Sequence, residues 1–390
     1  MFQTTENKDF TKVFGLRKIL LFGLFFCFVT AFASTEHEEA HDDHAEKEEF
    51  NAGEMIMHHI ADAHEIHFLT LNAGKENEKH VTINLPIILI GNGAVKVFSS
   101  KHLYHGEALH LEEGHGFAYG NYIMIDEVIY NKEEGGDHGI VRDEAGSIIN
   151  SKPLDMSITK TVVGLLLSVI ILLWIFIAVG KAYKKRGHTQ APKGLQAFIE
   201  PLVEFAHEQI IIPSVGSREK AAKFTPFLLS VFFFIWIANL LGLMSFIGGY
   251  NVMGSMSVTL VLSFFVFVIT NINGNKHYWK HIFAPEGVPF AIKLILVPIE
   301  ALQIFIKPLV LMVRLTANIT AGHIIILAFT ALIFIFGQSS AVAGYGVGAG
   351  SLIFMVFMFL IELLVAFLQA YVFTLLSALY FGSAVEDGHH

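Results

Sequence analysis

The sequence has few of the features that mark soluble or secreted domains. Only 16% of its 390 residues are charged, whereas soluble domains carry about a quarter. Its single cysteine, Cys27, excludes a disulfide framework and a cysteine-based metal site. It also lacks a glycine-rich phosphate loop followed by Lys and Ser or Thr, so the chain alone is not expected to make or hydrolyse ATP. No catalytic residue, cofactor or nucleic-acid partner is predicted.

Long apolar runs, by contrast, fill the C-terminal part of the chain. Hydrophobic residues make up 53% of the sequence, and 36 residues are Phe. Runs long enough to cross a bilayer core of about 30 Å lie at 158–180, 224–244 and 256–273, and two longer ones at 290–336 and 351–381. As one helix the run at 290–336 would be about 70 Å long, so it either breaks or lies strongly tilted. The pattern predicts an all-α integral membrane protein.

The membrane domain is predicted over residues 158–382. It would comprise a transmembrane span, a cytoplasmic amphipathic helix at 194–213, a helical hairpin and two long tilted membrane helices. The glycine-rich stretch from Gly337 to Gly350 is interpreted as the link between these two helices. The amphipathic helix is inferred from apolar residues at helical spacing opposite four polar side chains, Glu200, Glu204, His207 and Glu208.

The first 33 residues have the pattern of a cleaved secretory signal. A basic flank with Arg17 and Lys18 precedes an apolar run of about fifteen residues, and small residues follow at Ala31 and Ala33. The alternative is a short transmembrane helix. The signal is favoured because the run is short for a span and an acidic stretch follows it at once.

Residues 34–157 form an acidic, His-rich segment that is expected to lie outside the membrane. They hold 24 of the 35 Asp and Glu but only 8 of the 26 Lys and Arg, a net charge of −16, and 13 of the 20 His. Residues 34–50 are charge-rich and low in complexity, which favours disorder. Alternating pieces at 80–90, 94–100 and 121–130 predict a few strands. The His spacing fits no closed metal site, so a solvated extension is favoured over a metal-sensing domain.

The orientation follows from the basic residues after the first span. The sequence KAYKKRGH places four basic residues within six positions. Basic residues collect on the cytoplasmic side of a membrane, so this span is predicted to run from outside to inside. The mature N-terminus would be periplasmic, and the tail 383–390 cytoplasmic, in a bacterial inner-membrane protein.

Arg314 lies in the middle of an apolar run, although an arginine at membrane depth costs about 2.5 to 17 kcal/mol. Glu300, Lys307 and Arg314 are spaced by seven residues, so they share one helix face, and Asn318 adds a further turn. His323 lies nine residues beyond Arg314 and points to the opposite side. A second polar stripe therefore comprises Thr316, Thr320 and His323.

The last apolar segment carries Glu362 and Gln369 on one face, followed by Ser377 and Tyr380. Histidine exchanges protons near neutral pH, and a carboxylate beside it tunes that exchange, so His323 with Glu362 makes a proton relay chemically reasonable. Pairing of polar groups within a bundle is the alternative. An ion pathway is favoured because the polar groups lie on two consecutive membrane helices.

Three stretches resemble subunit a of the rotary F-type ATP synthase. KPLVLMVRLTANITAGHIII and IELLVAFLQAYVFTLLSALY are similar to the family's signature helices, and FTPFLLSVFFFIWIANLLGL to an earlier one. The resemblance covers about residues 155–382. It implies a non-catalytic stator channel that passes protons through two offset half-channels. The implied partners are the c-subunit ring, the b-subunit stalk, other synthase subunits and the lipid bilayer.

The resemblance also implies residue roles. Arg314 matches the arginine that faces the c-ring, draws its carboxylates into the ionised state and blocks leakage between the half-channels. Further proton-translocation roles fall on Gln369 beside it, on Asn318 one turn on, on the channel carboxylate Glu300, and on an interacting pair, His323 and Glu362. Supporting positions are Lys307, Asn239, Thr320 and Tyr380.

Two rival readings stay open at this point. A self-contained secondary transporter would show an internal repeat with broken helices in both halves, whereas the polar groups here lie in the C-terminal third. A sodium-coupled version of the same subunit would depend mainly on its ring, and His323 next to Glu362 favours protons.

Overall fold

A computed structural model gives the architecture of the chain. It describes residues 52, 53, 56 and 60–386, except for 72–78, 92–93, 105, 111–114, 134–137, 144–146, 187–190, 245–248 and 286. The predicted signal peptide and the charge-rich stretch 34–50 lie outside the described residues. Internal contacts separate a smaller unit, to which residues 67–83 belong, from a larger one that includes residues 49–66 and 84–390.

In the smaller unit, most of β1 (Glu65–Leu71) and β2 (Lys79–Asn84) form a two-stranded sheet. The larger unit begins with a β-rich part, residues 60–66 and 84–157, and continues into the membrane helices.

In the β-rich part, the described residues form two antiparallel sheets. One has the order β4-β3-β9, and the other is a meander, β5-β6-β7-β8. Ile87 and Leu89 alternate inward from β3 and are fully buried, and they pack with Leu103 and Met124 in a small apolar core. The elements are β3 (Pro86–Gly91), β4 (Ala94–Ser99), α1 (Lys101–Tyr104), β5 (Glu107–His110), β6 (His115–Tyr119), β7 (Tyr122–Ile125), β8 (Val128–Asn131) and β9 (Leu154–Asp155).

Among the described residues, five helices are long and apolar enough to cross a membrane, as the sequence predicted. Backbone donors and acceptors cannot reach water in a bilayer, so each apolar run satisfies them within its own helix. The helices are α2 (Lys160–Arg186), α5 (Arg218–Leu243), α6 (Met256–Asn273), α8 (Phe290–Ser339) and α9 (Ala341–Val385).

The predicted amphipathic helix is present between α2 and α5. It consists of α3 (Leu195–Glu204), a π-helical stretch (Phe205–Ile211) and α4 (Ile212–Val215). A further short helix, α7 (Lys276–Phe283), precedes α8.

The predicted link from Gly337 to Gly350 is wrong. Helix α8 continues to Ser339, α9 begins at Ala341, and Ser340 alone joins them. The Ser340 hydroxyl oxygen accepts a hydrogen bond from Ala343 N at 3.1 Å and so caps α9. Gly344 lies against Gly337, where a Cβ would be 2.8 Å from the Gly337 Cα. In apolar surroundings such glycines stay helical and let two helices approach closely.

The chain runs back and forth between two ends of the bundle, which we call the Lys160 end and the Arg186 end after the limits of α2. Loop residue Tyr250 contacts Gly164 at the Lys160 end. At the Arg186 end, the carbonyl oxygen of Val385 accepts a hydrogen bond from Lys220 Nζ at 2.8 Å. Helices α8 and α9, joined by Ser340, form an antiparallel hairpin. Each of the two is longer than any other described helix.

Candidate functional site

Arg314 lies at the midpoint of α8 and is exposed on the surface of the chain. Within the part of the chain that the structure describes, its guanidinium makes no hydrogen bond or ion pair. Met312, on the other side of the helix, is buried against the bundle, and so are Leu311 and Leu315 on one flank. The helix thus directs its apolar side inward and its cation outward.

The helix surface around Arg314 carries small side chains. Ala317 and Ala321 follow it at helical spacing, and both are exposed, as is Asn318. Small residues allow another helix to approach the backbone closely in a membrane. The surface is therefore open to a helical partner at the level of the arginine.

Gln369 lies at nearly the same level as Arg314. The register of the hairpin is fixed by Gly322, which packs against the Glu362 carboxyl group, and by Lys307, whose Nζ lies 5.7 Å from the centre of the Tyr380 ring. Arg314 is midway along α8 between Lys307 and Gly322. The matching midpoint on α9, between Glu362 and Tyr380, lies within about one turn of Gln369. Gln369 is buried, with 6% of its surface exposed.

Three of the predicted residues gather toward the Lys160 end. Glu362 and Asn239 are buried, with 4% and 3% of their surfaces exposed, and His323 is half-buried. Asn239 Nδ2 donates a hydrogen bond to Ala366 O at 3.2 Å, but its buried Oδ1 has no partner among the described residues. His323 Nε2 reaches α5, where a Cβ added to Gly242 would lie 3.7 Å from it.

His323 and Glu362 share this region without a direct bond. Gly322, the residue before His323, packs against the Glu362 carboxyl group. No hydrogen bond or ion pair between the two side chains occurs in the described part of the chain. Their interaction as a pair stays a prediction.

A second polar group of side chains lies toward the Arg186 end. Glu300, Lys307 and Tyr380 are half-buried there. The charge of Glu300 together with burial raises the pKa of Tyr278 on α7, burial being the larger cause. A small pocket in this region is lined by ten residues from four helices, and six of them are polar: Thr270, Asn271, Tyr278, Lys307, Tyr380 and Ser383.

The threonine stripe on α8 is mainly structural in its contacts. Thr316 and Thr259 on α6 join their hydroxyl groups at 2.7 Å. Thr320, one turn further along α8, is half-buried. Thr316 therefore contacts α6 and helps to set the packing of α8.

Sequence reasoning did not single out a buried charge cluster around His64. Only 2% of the His64 surface is exposed. Its Nδ1 lies 3.4 Å from Glu127 Oε2 and its Nε2 lies 3.4 Å from Asp155 Oδ2, and the Tyr104 hydroxyl donates to Glu127 Oε2 at 2.5 Å. The partners are separated by up to about ninety residues, so no local pattern pointed to them.

The charges in this cluster stabilise one another. Burial by itself lowers the pKa of His64, but the two carboxylates outweigh it and raise the pKa to about 9. The pKa values of Glu127 and Asp155 are lowered because the interactions with His64 outweigh their own burial. The pKa of Tyr104 is raised by burial and by the adjacent Glu127 charge.

Glu127 occupies an unusual backbone position. It follows Asp126 in the two-residue turn between β7 and β8, and both have positive φ, 47° and 65°. Such turns favour Asn or Asp followed by Gly. The contacts of its side chain with His64 and Tyr104 explain a glutamate in the glycine position.

Comparisons with known proteins match two parts of the chain. A family model for the ATP synthase A chain matches residues 162–382, and a model described as a domain of unknown function matches residues 55–156. The chain is 46% identical over 245 residues to ATP synthase subunit a 2 of Chlorobaculum tepidum, covering 60% of this chain and 66% of that protein. It is 38% identical over 317 residues to ATP synthase subunit a 2 of Prosthecochloris aestuarii, covering 78% and 92%. Identity to ATP synthase subunit a of Anaeromyxobacter dehalogenans is 36% over 304 residues, covering 73% and 75%.

Proposed function

Because the chain belongs to the ATP synthase subunit a family, a multi-pass membrane component of the Fo proton channel, we propose that it is the stator of a rotary F-type ATP synthase. In this role it passes protons to and from the carboxylates of a c-subunit ring through two offset half-channels. The chain performs no catalysis itself. The observation that carries the proposal is the position of Arg314.

Arg314 is a permanent cation that faces out of its own bundle at mid-helix. A charge at membrane depth needs a counter-charge or water, and this chain brings no carboxylate to it among the described residues. The small side chains of Ala317 and Ala321 leave room beside it for a partner helix. A ring carboxylate supplies the missing charge, and the planar guanidinium can bind it through two parallel hydrogen bonds.

The two polar groups on either side of Arg314 support separate half-channels. His323 lies about 14 Å from Arg314 along α8 toward the Lys160 end, and Glu300 lies about 21 Å away toward the Arg186 end. Glu362 and Asn239 accompany His323, and the unpaired Asn239 Oδ1 suits a water-filled path. Lys307 and Tyr380 accompany Glu300. A proton that enters through one half-channel would have to be carried on a ring carboxylate past Arg314 before it leaves through the other.

The orientation is part of the same proposal. Lys181, Lys184, Lys185 and Arg186 lie at one end of α2, which favours the cytoplasm for that end. The Lys160 end then faces the periplasm, and α9 ends in the cytoplasm. Cleavage of residues 1–33 is expected, and N-terminal sequencing of the mature protein tests it, since an intact Met1 would contradict the signal peptide.

The decisive experiment replaces Arg314. We expect Arg314→Lys to abolish ATP synthesis and ATP-driven proton pumping, because a desolvated lysine can lose its proton and is a point charge rather than a planar fork. Arg314→Ala should do the same and also permit passive proton leak. Proton flux is measured in inverted vesicles, with the amount of assembled complex determined by blotting for this subunit.

Arg218 provides a matched control. It is exposed at the start of α5 and binds Glu208, with Arg218 Nη2 2.8 Å from Oε2. Arg218→Ala removes the same charge from the same chain and is expected to leave flux within about twofold of the parent, because exposed ion pairs contribute little. A normal rate of ATP synthesis in an assembled Arg314→Ala complex would refute the proposal.

The roles of His323 and Glu362 can be tested by exchanging them. If they act in one relay, the double variant His323→Glu with Glu362→His keeps one imidazole and one carboxyl group in the path. It should pump protons better than either single variant. A double variant no better than the worse single one would show that the two residues act independently.

A further inference from the structure

The β-rich part is joined directly to the first membrane helix. Lys160 N donates a hydrogen bond to Ala63 O at 2.9 Å, and Thr161 N donates one to Asp62 Oδ1 at 2.9 Å. Asp62 therefore caps α2 from a position 99 residues earlier in the chain. Its carboxylate also interacts electrostatically with the Lys160 side chain. A negative and a positive side chain are thus held together at the Lys160 end.

The same end of α2 leads to His323. Gly164, one turn after Lys160, is packed against Tyr250, where an added Cβ would lie 2.5 Å from the Tyr250 Cβ. The Tyr250 carbonyl oxygen and His323 Nε2 both lie against Gly242, at 3.1 Å and 3.7 Å from a Cβ built there. The contacts run without interruption from the β-rich part to the proposed half-channel.

The His64 cluster holds the capping segment in place. Two residues after Asp62, His64 is fixed by Glu127 and Asp155, and its carbonyl oxygen accepts a hydrogen bond from Leu85 N at 3.2 Å. Asp155 lies five residues before Lys160. The cluster therefore ties both the Asp62 segment and the strand leading into α2 to the same point.

We propose that Asp62 and Lys160 form the outer mouth of the proton path and that His64 is a positioning residue that holds them there. This inference rests on the proposed function. A fixed cation beside the path raises the electrostatic energy of an arriving proton, and a nearby carboxylate lowers it. The pair therefore sets the outer proton concentration at which the path fills, while the maximal rate depends on steps deeper in the membrane.

Few other titratable groups surround His323 in the described part of the chain. Helix α9 brings Glu362 close through Gly322, and the connection between α5 and α6 brings Tyr250. Helix α5 presents Gly242, and Lys160 comes from α2. Glu362 and Tyr250 stay unchanged when Lys160 or Asp62 is replaced. A change in the half-saturating proton concentration is then caused by the Asp62–Lys160 pair.

The test uses the intact synthase in oriented vesicles. ATP synthesis is measured against the pH of the compartment at the Lys160 end, at a fixed membrane potential. We expect Lys160→Gln to lower the half-saturating proton concentration by about threefold or more, and Asp62→Asn to raise it by a similar factor, with maximal rates little changed. Lys160→Arg keeps the positive charge, so its curve should coincide with that of the parent. Lys181→Gln, at the other end of the same helix, is the matched control and should cause no shift.

His64 is tested with the same curve. His64→Gln frees Asp62 from α2, so it should shift the curve in the direction of Asp62→Asn, and the double variant should shift no further than Asp62→Asn alone. The exposed His102 provides the control His102→Gln, which should leave the curve unchanged.

The possible failures are distinguishable. Curves for Lys160→Gln and Asp62→Asn that coincide with the parent, or that lose maximal rate without shifting, would overturn the assignment of the mouth while leaving the role of Arg314 intact. Normal synthesis in an assembled Arg314→Ala complex would instead overturn the proposed function on which it rests.

Discussion

Raising the pH should loosen the β-rich part through one side chain, His64. In the folded chain its pKa is about 9, against about 6.5 for an unperturbed histidine. The protonated imidazole therefore stabilises the fold fully below pH 6.5, and this contribution is lost as the pH rises through 9. The difference of about 2.5 pH units corresponds to about 3 kcal/mol. The lowered pKa values of Glu127 and Asp155 arise from the same interactions with His64, so they contribute no separate free energy.

Amide hydrogen exchange in β7 and β8 of the purified full chain measures this contribution. Exchange of the parent is compared with that of His64→Gln at each pH, so that the pH dependence of the exchange chemistry cancels in the ratio. The variant should exchange about 100-fold faster at pH 6, and the ratio should fall toward one above pH 9. His102 is exposed and bonds only Ser99 O, at 3.2 Å, among the described residues, so His102→Gln should show no such dependence. A ratio that stays constant from pH 6 to pH 10 would refute the reasoning.

Three further substitutions test particular contacts. Glu127→Gly should destabilise the β7–β8 turn by about 1 kcal/mol less than Glu127→Ala, because glycine relieves the positive φ while both lose the bond to His64; equal exchange rates would contradict this. Gly322→Ala should lower proton flux severalfold or more in assembled complexes, since its Cβ displaces the buried Glu362 carboxyl group; unchanged flux would show that Glu362 has room to move. Thr316→Val should cost about 1 kcal/mol of thermal stability and leave flux nearly unchanged, because Thr259 keeps the backbone acceptors Ser255 O and Met256 O; a large loss of flux would give Thr316 a role in the path.

The membrane helices were predictable because an apolar run in a bilayer must satisfy its backbone hydrogen bonds within itself, as a helix does. The end of α8 was not predicted correctly. Glycine between Gly337 and Gly350 was interpreted as a helix breaker, as it would be in water, whereas in the bundle Gly337 and Gly344 are the contact that closes the hairpin. The strands at 80–90, 94–100 and 121–130 were found from alternation. Strand β9 was not predicted, because it has only two residues and pairs with β3, which lies about 65 residues earlier in the chain.

The candidate site was also predictable only in part. The spacing of Glu362 and Gln369 placed them on one face, and both are buried. The prediction that Arg314 faces the c-ring rested on the family resemblance. The structure shows that Arg314 is exposed, and its contact with a ring stays a prediction. His64 could not have been selected, because thirteen histidines lie in that segment and its partners Glu127 and Asp155 come from other elements. Burial, which decides its importance, is a property of the fold.

The α8–α9 hairpin is fastened to the rest of the bundle on both sides of Arg314, and this has a mechanical meaning. Toward the Lys160 end, Asn239 Nδ2 donates a hydrogen bond to Ala366 O at 3.2 Å. At the Arg186 end, Val385 O accepts a hydrogen bond from Lys220 Nζ at 2.8 Å, and Asn275 N donates one to Ala384 O at 2.9 Å. If a ring turns against Arg314, the sideways force falls between two points of support, and a beam supported in this way bends less than one held on a single side. Removing residues from 384 onward would release one support. The complex would still assemble and turn when unloaded, but it would slip as the opposing torque increased.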